Sequence, residues 1–276
     1  MQLINCVNLC EILPSLQKTR SMPQILLEVM KVAQFKTCER FYIGSSFCGK
    51  YFLHQKKETL NSLFELCRDK NMKVTLVIPT FSEGDLESGK NKLGQIVQYG
   101  WDCIDEITVN DYGMLTYVKE THPLAINMGR LFMKDYRDPR YEEYFQIPWK
   151  PKMLTSYLNE VLREYKIKSL EFDITHKRMD FSEVPEEVIP GLHIPYCYQT
   201  VGRICEYASI PKDTIKKFRV NDDCSENCSE SLVRYSLSDG NLEYIREGRT
   251  VYFRHPGYEL KGLKRYRLIY FPLTLL

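Results

Sequence analysis

The sequence predicts an α/β fold, a TIM-like (β/α) barrel that is either regular or incomplete, with β-hairpins at its C-terminal end. Short apolar, β-branched runs alternate with longer helical patterns, which is typical of repeated βα units around a parallel sheet. After Cys228 the pattern changes to short paired runs that indicate hairpins. We therefore predict a single barrel domain over residues 1–276, with 231–276 as a β-rich C-terminal extension.

Seven runs have the length and composition of barrel strands. They are residues 3–7, 40–44, 73–79, 106–110, 124–127, 169–173 and 192–196. The run at 73–79 is the clearest buried strand, because nearly all its central residues are apolar. An eighth strand is not evident: residues 266–271 either join the hairpins or close the barrel.

Helices are predicted between these strands. Apolar residues at helical intervals predict two buried faces, one with Ile25, Val29 and Val32 and the other with Leu60, Leu63, Phe64 and Cys67. Two further helices are predicted at 86–99 and 153–165. Residues 242–246 and 250–254 flank a predicted turn at Glu247 and Gly248.

Composition excludes several classes of protein. Hydrophobic residues make up 43% and charged residues 27%, a globular balance, and the net charge of +2 gives no indication of nucleic-acid binding. The N-terminus lacks a secretory signal pattern and no run is long enough to span a bilayer, so we predict a cytoplasmic protein without a transmembrane segment. Its ten cysteines are then expected to be reduced, as core residues, metal ligands or reactive thiols.

The cysteine pattern predicts a metal site. Cys224 and Cys228 are separated by three residues and surrounded by polar ones, which favours ligation over apolar packing. Cys205 lies upstream, and Cys48 follows a predicted strand where the functional loops of a barrel begin. Cys197 also follows a strand and rivals Cys205 as a ligand. Of the others, Cys6, Cys67 and Cys103 are interpreted as core residues, and Cys10 and Cys38 are left open.

Several polar residues follow predicted strands and would meet at one mouth of a barrel. These candidate substrate-pocket residues are Asn110, Asp111, Arg130, Glu171 and Asp173. Turn capping explains Asn110 and Asp111 at least as well, and surface ion pairing explains Arg130 at least as well.

Other candidates for chemistry are less specific. Residues 137–140 form either a loop with internal ion pairs or an anion clamp. Core or loop roles are favoured for His54 and His193, because no Ser-His-Asp or Cys-His arrangement accompanies them.

Five segments carry a resemblance to a known family: residues 41–50, 109–113, 129–140, 201–205 and 221–228. On these the chain resembles peptidase family U-thirty-two, in particular its short UbiV-like branch. The resemblance implies a 4Fe-4S cluster on Cys48, Cys205, Cys224 and Cys228. The sequence departs from the branch in the longer interval between Cys205 and Cys224 and in the additional Cys197.

The resemblance also implies a function. It implies a part in an oxygen-independent hydroxylation or related biosynthetic modification, a small-molecule substrate or donor, and a heterodimer with a related barrel protein. Two alternatives stay open: a collagenase-like peptidase, which is the activity that named the family, and a zinc-stabilised binding module, since four thiolates also suit zinc.

Overall fold

The computed structural model describes residues 2–133, 135–137, 148–220, 222–236, 242–255 and 257–276. The strands are β1 (Gln2–Asn8), β2 (Arg40–Gly44), β3 (Lys73–Val77), β4 (Ile104–Val109), β5 (Ala125–Met128), β6 (Ser169–Asp173), β7 (Arg178–Asp180), β8 (Ile189–Ile194), β9 (Tyr196–Val201), β10 (Val233–Ser236), β11 (Glu243–Glu247), β12 (Thr250–Arg254), β13 (Glu259–Lys261) and β14 (Arg265–Tyr270). The helices are α1 (Leu13–Gln17), α2 (Met22–Ala33), α3 (Gly49–His54), α4 (Lys57–Lys70), α5 (Leu86–Tyr99), α6 (Tyr112–Thr121), α7 (Ser156–Glu164) and α8 (Glu206–Ser209).

Eight strands close into a barrel, in the order β1, β14, β8, β6, β5, β4, β3 and β2. Every neighbouring pair in this order is parallel. The predicted TIM-like barrel is therefore confirmed, and it is closed rather than incomplete.

The eighth strand is the C-terminal β14, which lies between β1 and β8. Its Leu268 is opposite Asn5 on one side and Leu192 on the other. Residues 266–271 therefore close the barrel and do not join the hairpins. The 231–276 segment contributes both to a side sheet and to the barrel itself.

The helices match the predictions with two exceptions. Helix α5 has the predicted bounds, and the predicted apolar face of α4 is buried. Val32 of α2 is 45% exposed instead of buried, because the buried face turns toward Leu26 and continues with Ala33. Helix α7 begins at Ser156, later than predicted, because the side chain of Thr155 caps it by accepting a hydrogen bond from the Leu158 backbone N–H.

A four-stranded antiparallel sheet in the order β10, β11, β12 and β9 packs beside the barrel. The predicted hairpin is confirmed as β11 and β12, but Glu247 belongs to β11 and the turn consists of Gly248 and Arg249. The predicted strand at 192–196 divides at Pro195 into the ends of β8 and β9. Strands β7 and β13 form a separate parallel pair.

None of the helices in the described ranges is long and apolar enough to cross a lipid bilayer.

Candidate metal centre

Four cysteines line one cavity of about 50 Å³ at the carboxyl end of the barrel strands. They are Cys48, Cys205, Cys224 and Cys228, the set that the resemblance selects. Each is partly buried. Cys197 does not line this cavity: it is fully buried in β9, and its thiol donates to the backbone carbonyl of Ile174. The structure therefore groups Cys205, and not Cys197, with the other three.

The loop that carries Cys48 connects β2 to α3 and is held on both sides. The Cys48 backbone N–H donates to the Ser45 hydroxyl at 2.8 Å. The guanidinium of Arg249, in the β11–β12 turn, donates through Nε to the Phe47 carbonyl at 2.9 Å. The hairpin thus fixes the Cys48 loop against the side sheet.

Cys224 and Cys228 lie on a short loop that ends in a 3-10 turn, Asn227–Glu230. Glu226 between them has a left-handed backbone, with φ of 58°, and its N–H donates to the Cys224 sulfur at 3.2 Å. The Glu226 carboxylate lies 3.0 Å from Nδ1 of His54, and the Ser15 hydroxyl donates to the Ser229 carbonyl at 2.7 Å. These contacts hold the loop against α1 and α3.

Burial favours the protonated form of three of these thiols. It raises the pKa of Cys48 to about 11, against the opposing charge of Arg249, and it also raises the pKa values of Cys224 and Cys228. Because thiols bind metals as thiolates, loading this cavity with a cation would release protons. Any metal held by these thiolates would therefore be released as the pH is lowered.

Two buried glutamates in the cavity wall, Glu11 and Glu247, were missed by the sequence reasoning. Burial raises the pKa of Glu247 well above its usual range, and the nearby Glu11 adds to the effect. One oxygen of Glu11 accepts from the Ser45 hydroxyl and the Phe47 N–H, and the other has no partner among the described residues. A signal did exist for Glu11, which follows the carboxyl end of β1 just as Cys48 follows that of β2.

The donor chemistry and the spacing of the thiols bear on which metal group they suit. Within the described ranges, no three His, Cys, Asp or Glu side chains converge closely enough to hold a metal ion. The four cysteines line a shared cavity. Gly248 borders it with φ of +53°, and a Cβ at this position would lie 3.8 Å from the Cys228 sulfur. Four cysteines are a donor set that suits either zinc or an iron-sulfur cluster.

The predicted pocket residues Arg130, Glu171 and Asp173 are buried inside the barrel mouth. Arg130 donates to Asp173 at 3.2 Å and to the Ser46 hydroxyl at 3.1 Å. Glu171 accepts from the Thr108 hydroxyl at 2.6 Å and lies 2.9 Å from Nε2 of His193. These three residues are therefore brought together, but as an internal polar network.

Asn110 and Asp111 hold backbone in place. The Asn110 amide donates to the Ile78 carbonyl at 2.9 Å and accepts from the Leu131 N–H at 3.2 Å. Asp111 caps α6 by accepting from the Met114 N–H at 2.8 Å. Both contacts match the capping explanation that the sequence left open.

Arg137 extends the buried ion-pair network. It donates to the second Asp173 oxygen at 2.8 Å, and its guanidinium lies 3.6 Å from the centre of the Tyr198 ring. The rest of the predicted anion clamp, residues 138–140, lies outside the described residues. Arg137 by itself thus pairs with a carboxylate of the chain.

Comparison of the chain with protein-family models, with curated proteins and with solved structures finds no match.

Proposed function

We propose that this chain binds a 4Fe-4S cluster through Cys48, Cys205, Cys224 and Cys228. With that cluster it takes part in an oxygen-independent hydroxylation or related biosynthetic modification in the cytoplasm, as a heterodimer with a related barrel protein. The observation that carries the proposal is the shared cavity: of ten cysteines, the four selected by the resemblance line it together, although Cys48 is far from the others in the sequence.

We favour a cluster over a single zinc ion because the resemblance implies one. Zinc requires its ligands within bonding distance of one atom, whereas a cluster distributes them over separate irons. Four cysteines that line one cavity supply the number of thiolates that a 4Fe-4S cluster needs. A bound cluster would supply one-electron redox chemistry.

Other residues of the chain would have separate roles. Arg249 lies against the Cys48 loop and offsets thiolate charge there. Arg130, Glu171 and Asp173 at the barrel mouth are buried in hydrogen bonds within the chain, so the small-molecule substrate or donor would bind there only by displacing some of these contacts. Asn110 and Asp111 would shape the wall of that mouth through their backbone contacts.

The test is the visible absorption spectrum, with iron and sulfide content, of chain purified without oxygen. We expect a brown native protein containing iron and sulfide, and Cys224→Ala should lose most of both because a cavity thiolate is missing. Cys38→Ala is the matched control, since Cys38 is also partly buried but its thiol contacts the Arg40 carbonyl, outside the cavity. It should keep the native spectrum.

Other outcomes identify the alternatives. A colourless native protein without iron after anaerobic reconstitution contradicts the proposal. Stoichiometric zinc that is lost in Cys224→Ala would then indicate the zinc-stabilised module. Peptide cleavage that survives Cys224→Ala would indicate the collagenase-like peptidase.

A further inference from the structure

A group of exposed apolar side chains lies beside the cysteine cavity, on residues 203–220. The exposed fractions are 41% for Ile204, 66% for Ile210, 89% for Ile215, 57% for Phe218 and 52% for Val220. At 89% exposure, Ile215 makes almost no contact with the rest of the chain. Apolar surface concentrated on one segment in this way is typical of an interaction site.

The 203–220 segment is folded back on itself, so these side chains stay together. An antiparallel bridge joins Ile204 to Val220 at its two ends. In its middle, the Phe218 N–H donates to the Ser209 hydroxyl at 2.9 Å, and this hydroxyl donates to the Cys205 carbonyl at 3.1 Å. The segment is therefore a compact projection next to the cavity.

The same segment concentrates positive charge. It has five basic and two acidic side chains, a net charge of +3, whereas the whole chain carries +2. Lys212 is neutralised by Asp222 at 2.6 Å. Lys216 and Lys217 form no ion pair with any described residue, so their charge is available to an anionic partner, whereas Arg219 lies close enough to Asp222 to help lower the pKa of that carboxyl.

We propose that the 203–220 segment docks the chain on an anionic lipid surface. Ile215 and Phe218 would enter the headgroup boundary, while Lys216, Lys217 and Arg219 between and beside them would contact lipid phosphates and carboxylates. The adjacent Lys216 and Lys217 between these two apolar side chains argue against a protein partner, because the centres of protein interfaces are depleted in lysine. The inference is independent of the cluster, although Arg203 and Cys205 belong to both segment and cavity and would bring the cavity close to the lipid.

The experiment is co-sedimentation of the full chain with phosphatidylcholine vesicles, with and without phosphatidylserine. The native chain should bind only the vesicles that contain phosphatidylserine and should dissociate as salt is raised. Replacing both lysines (Lys216→Gln with Lys217→Gln) should weaken binding about fivefold for each charge, or roughly thirtyfold together. Ile215→Ser with Phe218→Ser should also release the chain.

The control is Trp101→Ser. Trp101 is 75% exposed, but it precedes β4 at the opposite end of the barrel, so this variant should bind as the native chain does. Circular dichroism melting should show that all variants fold. The proposal is overturned if the native chain ignores phosphatidylserine, or if the segment variants bind as tightly as it does. It is equally overturned if the variants lose a stoichiometric protein partner while no form of the chain binds vesicles.

Discussion

Acidic side chains inside the barrel differ in charge state because their neighbours differ. Burial alone would raise the pKa of Glu106, but Arg267 and Arg40 hold it below the usual range. Burial raises the pKa of Glu171 to about 7, although the hydrogen bond from the Thr108 hydroxyl and the charge of Arg130 oppose this shift. Burial also holds the pKa of His193 well below its usual range. Glu171 and His193 are therefore a neutral pair in weakly acidic solution.

The pKa of Glu171 gives a prediction about the free energy of unfolding. The carboxyl ionises near 4.5 in the unfolded chain and near 7 in the folded one, so native stability falls as pH rises across this window. The loss should approach about 3 kcal/mol relative to Glu171→Gln, which has no such titration. Urea unfolding of both proteins at a series of pH values measures it.

Glu106→Gln provides a control of opposite sign. Because the folded-state pKa of Glu106 is lowered, its contribution is present above the unfolded pKa and is lost as pH falls. Parallel pH profiles for the native chain and Glu171→Gln would contradict the assignment of Glu171 as a protonated buried acid.

At the level of elements, local patterns predicted what local interactions determine. Strands β2 and β6 and helix α5 have their predicted bounds, because apolar periodicity and turn residues define them. Closure by β14 could not be predicted in the same way, since a strand's partners depend on pairing between distant parts of the chain. The same limit explains Val32, where the rotation of α2 against its neighbours decides burial.

The same limit separates the site residues that the sequence could predict from those that it could not. Cys224 and Cys228 were identifiable from spacing and polar surroundings, because both lie on one short loop. The buried Arg130–Asp173 pair joins two strand ends that are distant in sequence, so sequence alone could not distinguish it from surface ion pairing. The sequence predicted Glu247 as a turn residue, but Glu247 lies in β11 and is buried. Its burial comes from the packing of the hairpin against the barrel, which a local pattern does not predict.

Replacing glycine by alanine should change the stability of the chain in opposite directions at two positions. At the end of β2, Gly44 has φ of +103°, and a Cβ there would lie 2.2 Å from the Val77 carbonyl oxygen. Gly44→Ala should destabilise the chain by roughly 3 kcal/mol, through backbone strain and displacement of β3. In α5, nothing lies within 4 Å of a Cβ at Gly94, so Gly94→Ala should stabilise by about 1 kcal/mol.

Chemical denaturation of the two alanine variants checks this pair. The midpoints should move in opposite directions while the slopes stay equal. A Gly44→Ala midpoint at or above that of the native chain would mean that the β2–β3 ends are not packed as closely as described.

At the scale of the whole molecule, the cavity links parts of the chain that are remote in sequence. Cys48 belongs to the barrel, whereas Cys205, Cys224 and Cys228 belong to the excursion between β9 and β10. Polar contacts such as His54 to Glu226 and Ser15 to Ser229 hold this excursion, together with the buried side chains of Tyr207 and Ala208. A cluster on all four thiols would add a covalent connection between the excursion and the barrel.

Cluster loading should therefore protect the excursion from proteolysis. Trypsin can cleave after the exposed Arg203, Lys216 and Arg219, and cleavage requires local opening. Because a group that binds only the closed form opposes opening by mass action, the anaerobically reconstituted chain should be cut there about tenfold or more slowly than Cys224→Ala. Cleavage after the exposed Lys36, outside the excursion, should proceed equally in both. A contrary result would be an iron-loaded chain that trypsin cuts at all these sites as fast as it cuts the variant. In that case the cluster would not connect the excursion to the barrel. Ligation by Cys48 together with Cys205 would then have to be abandoned.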